Sequence, residues 1–137
     1  MFAWLVHGEL KRLGQAKLLD VGCGTGGFLQ HLSDDGSLVV TGSEIYLKGL
    51  QFAQKRQPHI EFIQYDVTEG TLDRTYDLIT AFDVFEHIEQ DVEGMGNVHQ
   101  MLTKDGVFIL SVPRLSFCGV GWATSSVTNA AIHGPRC

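Results

Sequence analysis

A glycine-rich segment follows directly on a short apolar run near the amino end of this chain, and it restricts the fold more than any other feature. The apolar run is Lys17–Val21, and the segment is Gly22–Gly27, with the sequence GCGTGG. Glycines let a backbone turn tightly and approach a ligand closely, which side chains would prevent. Helical spacing of apolar residues restarts over Gly26–Ser33. The pattern therefore predicts a buried strand, a tight loop and a helix, in that order.

Strands and helices alternate along the first 113 residues. Strands are predicted at Lys17–Val21, Ser37–Ser43, Ile60–Tyr65, Tyr76–Phe82 and Val107–Val112. Helices are predicted at Phe2–Leu13, Gly26–Ser33, Ile45–Arg56 and Gln90–Leu102. In the third helix we expect Leu47, Leu50 and Phe52 to face the core. Near-continuous apolar strands separated by helices predict an α/β fold, with an open parallel sheet, helices on both faces and right-handed crossovers.

The sequence changes character after Pro113. Residues 114–137 are rich in Ser, Thr, Ala and Gly and show no clean period. We therefore divide the chain into one domain over residues 1–113 and an irregular tail of uncertain structure over residues 114–137.

Bulk properties narrow the choice of partners. The chain has 137 residues and a formal net charge of −6, and its basic residues are scattered, so we expect no nucleic-acid partner. No apolar run approaches the roughly 20 residues that a membrane span needs. The three cysteines form an odd set without a secretory signal ahead of them, which favours the cytoplasm. The histidines show no ligand spacing, so we expect no metal.

An acidic residue stands at the end of each of the first four predicted strands. These residues are Asp20, Glu44, Asp66 and Asp83. In an open α/β sheet, ligands bind beyond the carboxyl ends of the strands. The sequence therefore predicts a ligand site lined by carboxylates at this edge of the sheet.

Two kinds of cofactor fit the glycine segment. Gly22, Gly24 and Gly27 satisfy the G-x-G-x-x-G spacing of dinucleotide sites, and Glu44 lies about 20 residues further on. The carboxylate of Asp20, however, would repel a pyrophosphate placed on the following helix. A sulfonium and an ammonium group would be attracted by the same carboxylate. The electrostatics thus favour S-adenosylmethionine over a nicotinamide dinucleotide.

The segment DVGCGTGGF resembles the acid-x-Gly-x-Gly-x-Gly motif of class I S-adenosylmethionine-dependent methyltransferases. Further similar stations are Glu44, QYDVTEG around Asp66, YDLITAFDVFEHI around Asp83, and LTKDGVFILSVP. The chain is similar to the branch typified by ubiquinone- and menaquinone-biosynthesis enzymes, which implies a small-molecule acceptor. The resemblance implies a Rossmann-like sheet of order 3-2-1-4-5, here lacking the family's usual strands 6 and 7.

The resemblance also assigns roles to residues. Cofactor contacts are implied for Asp20, Gly22, Cys23, Gly24, Gly26, Glu44, Ile45, Asp66, Val67, Phe82 and Asp83. Asp20 and the loop would hold the methionine portion, Glu44 the ribose hydroxyls and Asp66 the adenine amine, with Val67 offering a backbone donor to the ring. Phe82 and Asp83 would line the path to the methyl group. Each acid also has a purely structural interpretation, as a helix cap, a turn former or a solvated side chain.

Two residues beyond the fourth strand are candidates for catalysis. His87 and Glu86 could take a proton from the acceptor, and His87 is the better base because imidazole titrates near neutral pH. The alternative is that this Glu-His pair fixes the loop and opens the next helix.

The short sequence after Pro113 leaves two alternatives to a small-molecule methyltransferase open. One is a truncated cofactor-binding module without transferase activity, and the other is an NAD(P)-dependent oxidoreductase. Without the usual last strands, the fifth strand would have an open edge, which invites pairing with a second chain. We therefore expect a homodimer formed through that edge or through the tail.

Overall fold

A computed structural model of the chain describes residues 3–32, 36–113, 120–126 and 129–131. The chain forms two compact units, Met1–Asp66 and Val67–Cys137, and each is described by itself below.

The first unit carries three parallel strands with two helices. Its elements are α1 (Ala3–Leu13), β1 (Ala16–Val21), β2 (Leu38–Glu44), α2 (Leu47–Arg56) and β3 (Glu61–Gln64). β2 pairs in parallel with β1 on one side and with β3 on the other. Leu18 and Leu19 of β1 are both fully buried, as expected for a strand covered on both faces. This register brings the carboxyl ends of the three strands to one edge.

The helix predicted at Gly26–Ser33 is largely absent. A 3₁₀ turn over Leu29–His31 takes its place, and Ser33 lies outside the described residues. Gly26 has φ 78°, which is incompatible with a right-handed helix, and two consecutive glycines disfavour helix formation. The prediction failed because it counted apolar spacing and ignored the glycines.

The buried face of α2 also differs from the prediction. Leu50 and Ala53 are buried, whereas Leu47 and Phe52 are each more than half exposed. Only the prediction for Leu50 was therefore correct. Residues at positions 50 and 53 share one helix face, and position 52 lies too far around the helix to join them.

The second unit contains one helix and the remaining strands. Its elements are β4 (Tyr76–Phe82), α3 (Asp91–Met101), β5 (Leu102–Pro113), β6 (Val120–Ser126) and β7 (Asn129–Ala131), with a 3₁₀ turn over Phe85–His87. β4 and β5 are parallel, and β6 and β7 continue from β5 as an antiparallel meander. The strand order along the sheet is β3-β2-β1-β4-β5-β6-β7, which confirms the Rossmann-like order 3-2-1-4-5.

Two expectations about the carboxyl-terminal region were wrong. Residues 120–126 and 129–131 of the supposed irregular tail form strands, and β6 pairs with β5 from Val107 to Pro113. The fifth strand therefore has no open edge there, and the homodimer predicted through it loses that route. Small polar residues hid β6 from sequence reasoning, because strand formation depends more on the neighbouring strand than on intrinsic propensity.

β5 begins at Leu102 and not at Val107 as predicted, because the predicted turn before it is part of the strand. Leu102 is level with Tyr76 and Val107 with Leu78, so the residues between Leu102 and Val107 form an irregular bulge opposite Asp77. The Lys104-Asp105-Gly106 turn predicted from sequence is this bulge. A hydrogen bond of 3.1 Å from Thr103 Oγ1 to Asp77 Oδ1 joins the two strands at this end.

None of the helices in the described part of the chain combines the length and the apolar character that crossing a membrane requires.

Candidate functional site

The loop after β1, Gly22–Gly27, owes its shape to alternate glycines. Gly22, Gly24 and Gly26 have φ of 71°, 56° and 78°, a left-handed region that residues with a side chain rarely adopt. Gly27 does not have a positive φ, and a Cβ placed on it would meet no atom within 4 Å. The backbone therefore requires the G-x-G-x-G spacing that ends at Gly26, and not the G-x-G-x-x-G spacing that ends at Gly27.

Glu44, the last residue of β2, is bound to this loop. Its Oε2 accepts a hydrogen bond of 2.9 Å from the backbone N–H of Gly24. Its Oε1 accepts from the backbone N–H groups of Ile45 and Tyr46, at 2.8 and 3.2 Å. A carboxylate offers about four lone-pair sites, so one acceptor position on Oε2 is left for a ligand donor. The side chain is thus fixed in place and still able to bind.

Asp20 lies beside Glu44 at the same edge of the first unit. It is buried, with only 3% of its surface exposed, and it is level with Gly42 on β2. The hydroxyl of Ser43 donates a hydrogen bond of 3.1 Å to the backbone carbonyl of Asp20. This bond from β2 therefore fixes the end of β1, which carries the Asp20 carboxylate.

The negative charge around the loop affects the pKa of its cysteine, Cys23. Burial, followed by the negative charges of Asp20 and then Glu44, raises the pKa of the Cys23 thiol to about 12. The thiol remains protonated at neutral pH and is no nucleophile. The same two charges make the loop a favourable place for a cation and an unfavourable one for a phosphate.

The carboxyl end of β3 is tied to the end of β2. The backbone N–H of Tyr65 donates to the carbonyl of Glu44 at 3.2 Å, and Gln64 Nε2 donates to the carbonyl of Ile45 at 2.9 Å. Asp66 follows at once and is half-buried. Within the first unit, the structure thus brings the predicted residues at positions 20–26, 44, 45 and 66 to the ends of three adjacent strands.

In the second unit, Asp83 follows β4 in a strained conformation. Its φ is 55° although it is not a glycine. Ser111, which is fully buried on β5, donates from its hydroxyl to Asp83 Oδ1 at 3.0 Å. The backbone N–H of Asp83 donates in return to the carbonyl and the hydroxyl of Ser111, both at 3.2 Å. These bonds hold the Asp83 carboxylate at the carboxyl end of β4, after the half-buried Phe82.

Val67, the first residue of the second unit, is fixed from α3. It is buried, and its backbone carbonyl accepts a hydrogen bond of 2.7 Å from Asn97 Nδ2. Gly94 on the same helix lies so close to Phe85 that a Cβ there would be 3.1 Å from the ring. Gly94 therefore serves close packing and does not interrupt the helix.

The candidate catalytic pair lies on the 3₁₀ turn Phe85–His87. Phe85 anchors the turn, because it is buried and meets Phe108 edge-on at 5.8 Å between ring centroids. His87 Nε2 lies 3.7 Å from Glu86 Oε1, and the His87 side chain is 78% exposed. This distance is too long for a hydrogen bond, so Glu86 does not orient the imidazole.

Sequence reasoning missed Ser111 and Asn97. A weak signal existed for Ser111, since it is the single polar residue inside the run VFILSV. Asn97 carries no such signal, because a polar residue on a helix normally faces solvent. Over the residues with described positions, no three His, Cys, Asp or Glu side chains are grouped to hold a metal ion.

Comparison with known proteins places this geometry in a family. A model of the methyltransferase domain matches residues 5–133. A protein of Geobacillus sp. (strain WCH70), named as a methyltransferase, is 32% identical over 123 residues, which cover 80% of this chain and 49% of that protein. The ubiquinone biosynthesis O-methyltransferase of Rickettsia typhi is 28% identical over 103 residues, covering 72% of this chain and 42% of that one.

Solved structures agree with the sequence relatives. A TehB-like SAM-dependent methyltransferase from Corynebacterium glutamicum is 25% identical, with a TM-score of 0.63 over 71% of this chain and 54% of that one. The chain spans about half the length of the curated relatives it matches. Because the family model covers most of the sequence, the chain belongs to the methyltransferase domain family.

Proposed function

We propose that this chain binds S-adenosylmethionine and transfers its methyl group to a small-molecule acceptor, which leaves S-adenosylhomocysteine. The observation that carries the proposal is the negative charge of Asp20 and Glu44 at the glycine loop of a methyltransferase domain. When bound, the cofactor supplies an electrophilic methyl group and its own sulfur leaving group. The protein's main contribution is then to hold the two reactants at attack distance.

The first unit supplies most of the proposed cofactor contacts. Asp20 would take the ammonium of the methionine portion, either directly or through water. Glu44 would accept from the ribose through Oε2, which has one acceptor position left beside the Gly24 bond. Asp66 would accept from the adenine amine. The nearly half-exposed Ile45 offers apolar surface next to Glu44.

The second unit supplies the remaining proposed contacts. The backbone N–H of Val67 would donate to the adenine ring. Phe82 and Asp83 would line the approach to the methyl group, and the support for Asp83 is the pair of contacts that Ser111 makes to it.

A nicotinamide dinucleotide is disfavoured by two features besides the charge. Its fingerprint needs a third glycine at position 27, where the backbone makes no special demand. Its pyrophosphate needs the N-terminus of an α-helix, and the loop leads only into the 3₁₀ turn Leu29–His31. An aligned helix dipole is therefore missing from that position.

We propose a hydroxyl acceptor, because the Rickettsia typhi relative is an O-methyltransferase. As the bond from oxygen to the methyl carbon forms and the bond from carbon to sulfur breaks, the hydroxyl proton must leave. His87 would accept that proton, and Glu86 would stabilise the imidazolium. The exposure of His87 fits a base that an incoming acceptor covers and orients.

Titration calorimetry tests the cofactor. We expect S-adenosylhomocysteine to bind and NAD not to bind, and the reverse result would overturn the proposal. Asp20→Asn should weaken S-adenosylhomocysteine about tenfold, because a hydrogen-bonded charge pair is lost. Glu9→Gln removes the same charge from a surface pair with Arg12 and should leave the affinity unchanged.

Methyl transfer is tested by following S-adenosylhomocysteine production with a panel of phenols, amines and carboxylic acids. A phenol should be methylated first, and His87→Gln should lower turnover without changing affinity for S-adenosylhomocysteine. Cofactor binding without transfer to any acceptor would contradict the activity and preserve the binding.

Three further sequence-based statements stay predictions. They are the cytoplasmic location, the lack of a nucleic-acid partner, and a homodimer formed through the residues after Pro113. The division of the chain at residue 113 stays a prediction as well.

A further inference from the structure

Gln57, immediately after α2, is a buried polar residue that neither the sequence motifs nor the proposed contacts account for. Only 3% of its surface is exposed. Its Nε2 donates a hydrogen bond of 2.7 Å to the backbone carbonyl of Gly26 in the glycine loop. Its Oε1 is buried and has no hydrogen-bond partner within the described part of the chain.

This arrangement is unfavourable for stability alone. A buried acceptor without a partner loses its bonds to water and gains none in return. The Gly26 carbonyl would not be left unsatisfied without Gln57, because the backbone N–H of Gln30 also donates to it, in a longer bond of 3.2 Å. An apolar side chain of similar size would fill the space without leaving an oxygen unsatisfied.

The main chain of Gln57 is fixed at the end of α2 by two hydrogen bonds. The backbone N–H donates to the carbonyl of Ala53 at 2.9 Å, and the backbone carbonyl accepts from Ile60 at 3.1 Å. A Cβ on Gly26 would lie 2.8 Å from Gln57 Nε2 and 3.3 Å from the Ala53 methyl. A side chain at position 26 would therefore displace the amide group of Gln57 from its present place.

The same helix also meets the loop at its other end. A Cβ on Gly49 would lie 3.2 Å from the backbone carbonyl of Gly24 and 3.5 Å from Glu44 Cγ. α2 thus supports the loop behind both Gly24 and Gly26. Of these two contacts, only the one from Gln57 is a side-chain hydrogen bond, which has a direction and fixes the plane of the Gly26 peptide.

We propose that Gln57 is a positioning residue for the methionine portion of the cofactor, acting through the carbonyl of Gly26. The inference rests on the proposed function for the identity of the ligand. Gln57 sets the orientation of the Gly26 peptide and so fixes the part of the loop that follows Gly24. It does not act on Glu44, the proposed nucleoside contact, whose side chain is fixed by its own bonds from the backbone N–H groups of Gly24 and Ile45.

The test compares two ligands on Gln57→Met, which keeps the size and removes the donor. S-adenosylhomocysteine has a methionine-derived portion, and adenosine lacks it. We expect S-adenosylhomocysteine to bind about tenfold more weakly, which is the loss of one hydrogen bond, and adenosine to bind within about twofold of the wild type. The melting temperature should be unchanged or higher, because the unsatisfied oxygen is gone.

A purely structural role of Gln57 predicts a lower melting temperature and an equal loss of affinity for both ligands. If Gln57→Met melts earlier and loses both ligands equally, or keeps full affinity for S-adenosylhomocysteine, the inference is wrong. Gln57→Leu provides a second apolar variant if the first does not fold. Leu50→Ala, on the buried face of α2, should lower the melting temperature and leave the ratio of the two affinities unchanged.

Hydrogen exchange separates this inference from the proposed function. The Gly26 amide donates to the Cys23 carbonyl at 2.9 Å, so its exchange without ligand reports the order of the loop. Exchange should be faster in Gln57→Met even if the wild type binds no S-adenosylhomocysteine, a result that would overturn only the proposed function. Equal exchange in both proteins would overturn the positioning role.

Discussion

The two units hold their candidate site residues in different ways. In the first unit, Glu44 accepts three backbone hydrogen bonds and is fixed before any ligand arrives. In the second unit, His87 is largely exposed and lies 3.7 Å from its nearest acid. Asp83 in the second unit is also fixed, by its bonds to Ser111, so the contrast is between residues proposed to hold the cofactor, which are fixed before it binds, and the candidate base His87, which is exposed. Under the proposed function the cofactor brings its own leaving group, so the protein's main contribution would be to position the two reactants.

The largest expected effect is the loss of cofactor affinity when Glu44, the fixed carboxylate of the first unit, is removed. Glu44→Ala removes the acceptor for the proposed ribose contact and releases the Gly24 N–H. We expect S-adenosylhomocysteine to bind roughly 100-fold more weakly by calorimetry, since bonds to a charged group are the stronger kind. An affinity within about threefold of the wild type would break the comparison, because the fixed edge would then not be the cofactor side.

A smaller effect is expected on the second unit. Ser111→Ala removes the hydroxyl that bonds Asp83 and should lower the free energy of unfolding by about 1 kcal/mol. It should also reduce methyl transfer while S-adenosylhomocysteine affinity changes less than about threefold. Chemical denaturation and a turnover assay provide the two measurements.

Thr103→Val is the matched control for Ser111→Ala. Thr103 makes the same kind of hydroxyl-to-carboxylate bond, to Asp77 at the opposite end of β4 and β5. It should cost similar stability and leave turnover unchanged. If both variants reduce turnover equally, the role of Ser111 is only structural.

The smallest expected effect is on the reactivity of Cys23, which should not be alkylated. Cys23 has a pKa near 12, so its thiolate fraction at pH 8 is on the order of one in ten thousand. We expect iodoacetamide to leave Cys23 unmodified in the folded chain, as read by peptide mass spectrometry. Rapid modification would mean that Cys23 is neither buried nor surrounded by negative charge.

The same raised pKa also links stability to pH. The pKa in the folded chain lies above the ordinary thiol value of 9.0, so the neutral thiol is the form that folding favours. The resulting contribution to stability is complete below pH 9 and is lost as pH rises towards 12.

Local patterns predicted the parts of the fold that depend on local chemistry. The glycine loop and the acids at the strand ends follow from apolar runs and turn residues, whereas the strand order was implied only by the family resemblance. The sequence could not predict β6, because its stretch of small and polar residues lacks the apolar alternation of a strand and depends on pairing with β5. Nor could it predict Gln57, whose role depends on a carbonyl 31 positions away.

The three bonds to Glu44 also decide when its conformational entropy is lost. A free glutamate side chain gives up about 1.5–2 kcal/mol of rotamer entropy when it is fixed. In this chain that loss occurs during folding, so a nucleoside that binds Glu44 would meet a carboxylate that is already in place. The side chain of His87 would lose its rotamer entropy only when the molecule to be methylated binds. Under the proposed function, the entropy cost of recognition would therefore fall mainly on binding the methyl acceptor, where a wrong molecule could still be released.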